Sequence, residues 1–207
     1  MLNNQDDAAR AEFCPDGYKL LDHAQTCRQG SGTTPLFRDL LAVKKEDGGL
    51  KMSFEFSEWT VQQASSHDLQ VVIIYRLQSD SDDRRIPMNI FFTEFSDYLE
   101  TVVLRKEQLV LVAAFNIHVD VPYDSLCTKF LDLLESFSLQ QHVVGPTHIY
   151  GHTLELLIIR KSDQIFGSTS QVDRYFSDHA SVFCQLHFIM RSLSTRTTRR
   201  KIKFKCS

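Results

Sequence analysis

Two apolar runs constrain the fold of this sequence more than any other feature. Gln70 to Tyr75 (QVVIIY) and Leu109 to Ala114 (LVLVAA) are apolar at consecutive positions, so neither can turn one face to water. The first is rich in β-branched residues and predicts a central strand covered on both sides. The second predicts another buried strand. Between them, Phe91, Phe92, Phe95, Leu99, Val102 and Val103 fall on one stripe of a helix over residues 89–104, with Glu94, Asp97 and Glu100 opposite. Strands of this kind mixed with amphipathic helices predict an α/β layered domain. The 207 residues and the 43% hydrophobic fraction suffice for one domain with a sizeable core.

The rest of the chain fills in around that frame. Leu36 to Val43 reads as a strand, and Asp47-Gly48-Gly49 as a turn. Met52, Phe54 and Phe56 alternate with Ser53, Glu55 and Ser57, the pattern of a strand with one buried face. Asp124 and Ser125 can cap a helix carrying Leu126, Phe130, Leu133, Leu134 and Phe137. Further strands are expected over 154–159 and 182–188. Residues 1–13 are polar and read as disordered, while 22–34 and 78–87 read as loops.

Charge and cysteine usage exclude several classes. The net charge of −3 gives no overall nucleic-acid signal. Its distribution is uneven. Arg191, Arg196, Arg199, Arg200, Lys201, Lys203 and Lys205 put seven positive charges and no acid after position 190; taking these seven from −3 leaves −10 on residues 1–190. Residues 191–207 are thus a basic tail, either a solvated terminus or a contact for phosphates. Cysteines at 14, 27, 127, 184 and 206 show no C-x-x-C spacing, which argues against a zinc finger. Their odd number and the lack of an apolar leader point to a reducing, intracellular setting, and no apolar run is long enough to span a membrane. His148 and His152 have H-x₃-H spacing and His118 with Asp120 gives H-x-D, but Pro146 and Gly151 argue against a helix presenting both histidines on one face. Nucleotide-binding glycine loops are absent.

Three short segments at expected strand ends can carry chemistry. They are Ala113-Ala114-Phe115-Asn116, Gly151-His152-Thr153-Leu154-Glu155-Leu156 and Phe176-Ser177-Asp178-His179. In the last, the carboxylate can fix an imidazole tautomer or hold a metal, and the imidazole handles protons near neutral pH. The order LVLVAAFNIHVD, QHVVGPTHIYGHTLELLI and FSDHASVF resembles the endonuclease/exonuclease/phosphatase domain of LINE-type (non-LTR) retrotransposons. That pattern runs G-D-F-N, then G-P-T-H and H-T-L-D-L, then S-D-H. VVIIYRL resembles the family's V-V-x-Y-R-P strand, and Pro15-Asp16-Gly17-Tyr18 resembles the segment before its Gly-rich hairpin.

The resemblance covers roughly residues 15–190. It implies a four-layered α/β sandwich that hydrolyses DNA phosphodiesters with Mg²⁺. It assigns Asn116 to the scissile phosphate and Tyr75 to a phosphate contact. Asp178 falls to the metal, and His179 to general acid/base work or charge stabilisation at the phosphate. Glu155 stands where the family has the Asp that orients the catalytic His. One extra methylene shifts that carboxylate by about an ångström, a misplacement that can cost about 10²-fold. Ala114 replaces the Asp of G-D-F-N, a loss worth a factor of about 10² to 10⁴. No counterpart of the family's opening strand, with its metal-site Asn, or of the strand with its metal-binding Glu, is found before Pro15. The resemblance therefore implies a domain lacking its first strands, and a weak or inactive enzyme. DNA is the expected partner, through the site and the basic tail. The alternative is a non-catalytic nucleic-acid-binding or protein-interaction module. No particular oligomeric state follows from the sequence.

Overall fold

The computed structural model describes residues 14–21, 34–62, 67–76, 86–168, 170–175, 177–187 and 200–204. The expected disorder over 1–13, most of the 22–34 loop and most of the 78–87 loop lie outside the described residues.

The frame is a six-stranded sheet. Its strands are β3 (Val43–Leu50), β4 (Phe54–Val61), β5 (Leu69–Arg76), β6 (Gln108–Ala114), β7 (Leu139–Gln141) and β8 (Glu155–Arg160), in the spatial order β3-β4-β5-β6-β8-β7. The two apolar runs are β5 and β6, which pair in parallel at the centre of the sheet, while their other neighbours are antiparallel. The crossover between them carries helix α1 (Met88–Val102), and helix α2 (Ser125–Ser136) follows β6. The Asp124 carboxylate caps α2 as the sequence suggests, accepting a hydrogen bond from Leu126 N–H at 2.7 Å. Two smaller sheets complete the described chain. β1 (Tyr18–Leu20) pairs with β2 (Leu36–Arg38), and β10 (Ala180–Leu186) lies between β9 (Gln171–Tyr175) and β11 (Arg200–Phe204).

The expected strand over 36–43 is two strands, β2 and β3, separated by a turn closed by Leu41 N–H to Arg38 C=O at 2.9 Å. Asp47-Gly48-Gly49 is not a chain reversal either. It lies inside edge strand β3, where the register against β4 slips between Lys45 and Asp47. Glycine suits such an irregularity. A β-carbon on Gly49 would come within 3.1 Å of the Phe56 ring, so the strand also needs a small residue there. Part of the basic tail belongs to a sheet: Arg200–Phe204 pairs antiparallel with β10, so its backbone hydrogen bonds are spent on a ladder. Arg191, Arg196, Arg199 and Lys205 lie outside the described residues.

Two cores flank the six-stranded sheet. On one face, Phe54, Val72, Leu109, Leu111 and Ile158 pack against Phe91, Phe95 and Leu99 of α1 and Phe130 and Leu134 of α2. On the other, Trp59, Leu69, Val110, Leu157 and Ile159 meet Val182, Cys184 and Leu186 of β10. The layers therefore run helices, large sheet, small sheet. Because the small sheet covers the second face, β4 is buried on both sides. On that face Glu55 and Ser57 are as enclosed as Phe54 and Phe56, contrary to the one-sided strand that the alternation suggests, and Glu58 is buried on the helix side. Glu58 is satisfied there: Tyr98 O–H donates to it at 2.7 Å, Gln70 at 3.2 Å, and Arg105 forms an ion pair with it. Among the described residues no helix is long and apolar enough to cross a membrane.

Phe115, the first residue beyond β6, is fully buried. Its ring lies 5.0 Å from Phe95, 5.1 Å from Phe91 and 5.6 Å from Phe130, centroid to centroid. It anchors the strand end from which the following loop departs. Phe115→Ala should cost about 3–5 kcal/mol, whereas Leu104→Ala, at an exposed position, should stay within about 0.5 kcal/mol. Urea denaturation of the two variants checks this.

Candidate functional site

The chemistry-bearing residues converge because three of them are cross-strand neighbours. Tyr75 of β5 pairs with Ala114 of β6, and Ala114 pairs with Glu155 of β8. On the other side of Tyr75 stands Glu55 of β4. Glu55, Tyr75, Ala114 and Glu155 thus form one transverse row on four adjacent strands. By the two-residue alternation of each strand, the row lies on the face that carries Trp59, Val112 and Leu157, toward the small sheet.

The S-D-H segment reaches this row from the second sheet. Glu155 Oε1 is hydrogen-bonded to Nδ1 of His179, just before β10. The extra methylene of Glu155, expected to misplace the carboxylate, still lets it contact the imidazole. Glu155 is buried, and its other oxygen, Oε2, has no partner among the described residues. Thr147 braces the start of β8: its hydroxyl oxygen accepts from Leu154 N–H at 2.8 Å and from Glu155 N–H at 3.2 Å. Thr147 C=O also accepts from Ala180 N–H at 2.7 Å, and Ile149 N–H donates to Asp178 C=O at 2.9 Å. These bonds lock the 144–153 loop against the S-D-H turn.

The third segment joins through Asp120. One of its carboxylate oxygens accepts from Thr153 N–H at 2.8 Å, and the other lies 3.1 Å from His152 Nδ1. Burial pushes the Asp120 carboxyl up, but these two bonds outweigh it and hold the group below the usual carboxylate range. The His152 ring stacks on His118 at 3.8 Å between centroids. Asn116, between Phe115 and this cluster, is exposed and takes a left-handed backbone with φ +50°. Asn tolerates that region better than most residues, and such residues concentrate at functional sites.

His148 is placed differently from its H-x₃-H spacing with His152. Gly145 and Gly151, both at positive φ, bend the loop so that the two histidines part company. His152 goes to Asp120. His148 forms a backbone bridge with His179, its ring 4.8 Å from that of His179 and its Nε2 3.7 Å from Asp178 Oδ2. One donor atom from each of His148, Asp178 and His179 lies within 4.8 Å of the others. Hydrogen bonds from its own backbone N–H and from Ser177 keep the exposed Asp178 carboxyl below its ordinary range. An Mg²⁺ ion demands near-octahedral oxygen ligation. This cluster offers one carboxylate and two imidazoles, and Glu55 stands three strands away from Glu155 in the row. The donors at the S-D-H turn do not fit Mg²⁺.

Sequence reading missed Glu55, Thr147 and the pairing of His148, and it weighed Asp120 with His118 rather than with His152. Glu55 looked like the wet side of a one-sided strand. Among the described residues neither of its buried oxygens has a partner, and it is 2% exposed. Desolvation pushes its carboxyl above the ordinary carboxylate range.

No protein-family model matches the sequence, and no curated protein matches it. Solved structures do match. The endonuclease domain of TRAS1, a telomere-specific non-LTR retrotransposon, aligns with TM-score 0.59 at 12% identity over 84% of this chain and 81% of that one. A mannosyl-6-phosphatase of Bacteroides thetaiotaomicron aligns with TM-score 0.54 at 10% identity, over 84% and 78%. A humanized D. rerio TDP2 gives TM-score 0.52 at 9% identity, over 86% and 79%. The chain has the endonuclease/exonuclease/phosphatase fold. At these identities the likeness is one of architecture. The endonuclease/exonuclease/phosphatase fold here places Tyr75, Ala114, Glu155 and the Asp178–His179 turn at one end of two facing sheets.

The orphaned Glu55 carboxylate makes stability depend on pH. Its folded-state value lies above the unfolded one, so the proton is held more tightly when folded. The cost of its charge is absent below the ordinary carboxylate range and grows as pH rises from there through the raised value. Glu55→Gln should therefore raise Tm at pH 8, with the gain vanishing near pH 4. Thermal melts across that range check it; a gain independent of pH would contradict the orphaned charge.

Proposed function

We infer that this chain is a retrotransposon-derived, endonuclease-like protein of the metal-dependent phosphodiesterase class, with weak or no hydrolytic activity, acting on DNA inside the cell. The observation that carries this reading is the transverse row. Tyr75 and Glu155 hold positions that the retrotransposon resemblance assigns to a phosphate contact and to the group that orients the histidine. Between them stands Ala114, a methyl where that resemblance has an acid.

Glu155 keeps the His179 imidazole in one orientation, with Nδ1 occupied and Nε2 left for a phosphate oxygen. Asn116 and Tyr75 can donate hydrogen bonds to the same phosphate, and Asp178 supplies charge beside it. What these groups cannot do is position or deprotonate the attacking water, the work of the absent acid. The resemblance implies Mg²⁺, which would polarise the phosphate and stabilise the leaving oxygen. The donors present do not suit it. Alanine at position 114 costs a factor of about 10² to 10⁴.

Supercoiled plasmid with a divalent cation tests this. The unaltered chain should nick it faintly or not at all, and Ala114→Asp should raise the rate by about 10² or more. Robust nicking by the unaltered chain that disappears in His179→Ala would contradict the impairment. A folded Ala114→Asp variant with no gain would contradict the phosphodiesterase reading.

A further inference from the structure

We propose that His148, Asp178 and His179 form a binding site for one divalent transition-metal ion of the zinc class, selected over magnesium. The reading does not depend on whether the chain cleaves DNA.

Three observations carry it. The first is the donor set. Imidazole nitrogens suit zinc and its neighbours, whereas magnesium prefers oxygen throughout. Two imidazoles and one carboxylate, each with a donor atom within 4.8 Å of the other two, match the ligand types of three-ligand zinc centres. The second is spacing. Ligand bonds of about 2.0–2.1 Å at tetrahedral angles put two donors roughly 3.4 Å apart. His148 Nε2 and Asp178 Oδ2 stand at 3.7 Å. The wider separations close by side-chain rotation, for which the exposed Asp178 has room.

The third is support behind the ligands. A metal-binding histidine characteristically gives its second ring nitrogen to a carboxylate, which fixes the tautomer and makes the first nitrogen more basic. Glu155 does this for His179, engaging Nδ1 from a buried position and leaving Nε2 for an ion. The backbone around the cluster is fixed as well, by the His148–His179 bridge and the bonds from Ile149 and Ala180. Three protein donors leave a fourth tetrahedral position for water.

There is one opposing term. His148 Nδ1 accepts from Tyr150 N–H at 3.3 Å. An ion on Nε2 needs the ring proton on Nδ1, so this bond must open. At 3.3 Å this N–H···N bond is long, and it is weak beside two metal–nitrogen bonds.

The test uses the full chain under reducing conditions, zinc chloride as the probe, and two-bond ¹H–¹⁵N spectra of the histidine rings. One equivalent of zinc should move the ring signals of His148 and His179, leave His142 and His152 in place, and resist excess magnesium chloride. Glu155→Gln, which keeps the shape but removes the charge behind His179, should weaken binding about 10- to 100-fold. His148→Gln should weaken it at least tenfold. Absence of saturable zinc binding overturns the proposal. So do zinc-induced changes confined to the cysteines or to His118 and His152, or unaltered affinity in folded His148→Gln. If that variant fails to fold, the ring signals of the unaltered chain decide alone. All of these outcomes are read without a plasmid-nicking assay.

Discussion

The hydrogen bond between Glu155 and His179 is the contact on which the site depends. It spans the gap between the large sheet, through β8, and the turn that opens β10 of the small sheet. A buried carboxylate is tolerable only with partners, and among the described residues the Glu155 side chain finds one, the His179 ring, at Oε1. Thr147 supplies the complementary constraint: its hydroxyl fixes the first residues of β8, and its carbonyl holds the first residue of β10. Side chain and backbone thus tie the same two strands together at the same end.

Function follows from what this scaffold presents and what it omits. Four adjacent strands deliver Glu55, Tyr75, Ala114 and Glu155 in a row, and the alanine interrupts the line of polar groups between Tyr75 and Glu155. The fold resembles that of an endonuclease domain and a phosphatase, but chemistry depends on the groups it presents. The imidazole-rich corner at His148, Asp178 and His179 is a different donor environment from an all-oxygen cation site. The alanine in the row and the nitrogen-rich corner are separate features, on β6 and at the turn before β10.

Much of this was legible in the sequence because it rests on local pattern. The apolar runs gave β5 and β6, the Phe91–Val102 stripe gave α1, and Asp124 gave the cap of α2. The three segments chosen for chemistry do converge, since each sits at a strand end of the large sheet or before β10. What escaped was long-range. Glu55 reads as a solvated residue from its place in the alternation, yet in the folded chain it is 2% exposed. Pro146 and Gly151 already spoke against His148 and His152 sharing a helix face, but not for their separate partners, Asp178 and Asp120. The Asp47-Gly48-Gly49 signal was real as a backbone irregularity, but its consequence was a register slip in an edge strand.

The central claim is that Glu155 and His179 act as one unit joining the two sheets. A double-mutant cycle on unfolding free energy, with Glu155→Gln, His179→Asn and the pair, measures this most directly. The account predicts a coupling of about 1–3 kcal/mol at neutral pH. Additivity within about 0.5 kcal/mol, in variants that keep the native fold, would show that the two side chains do not depend on one another and would contradict it.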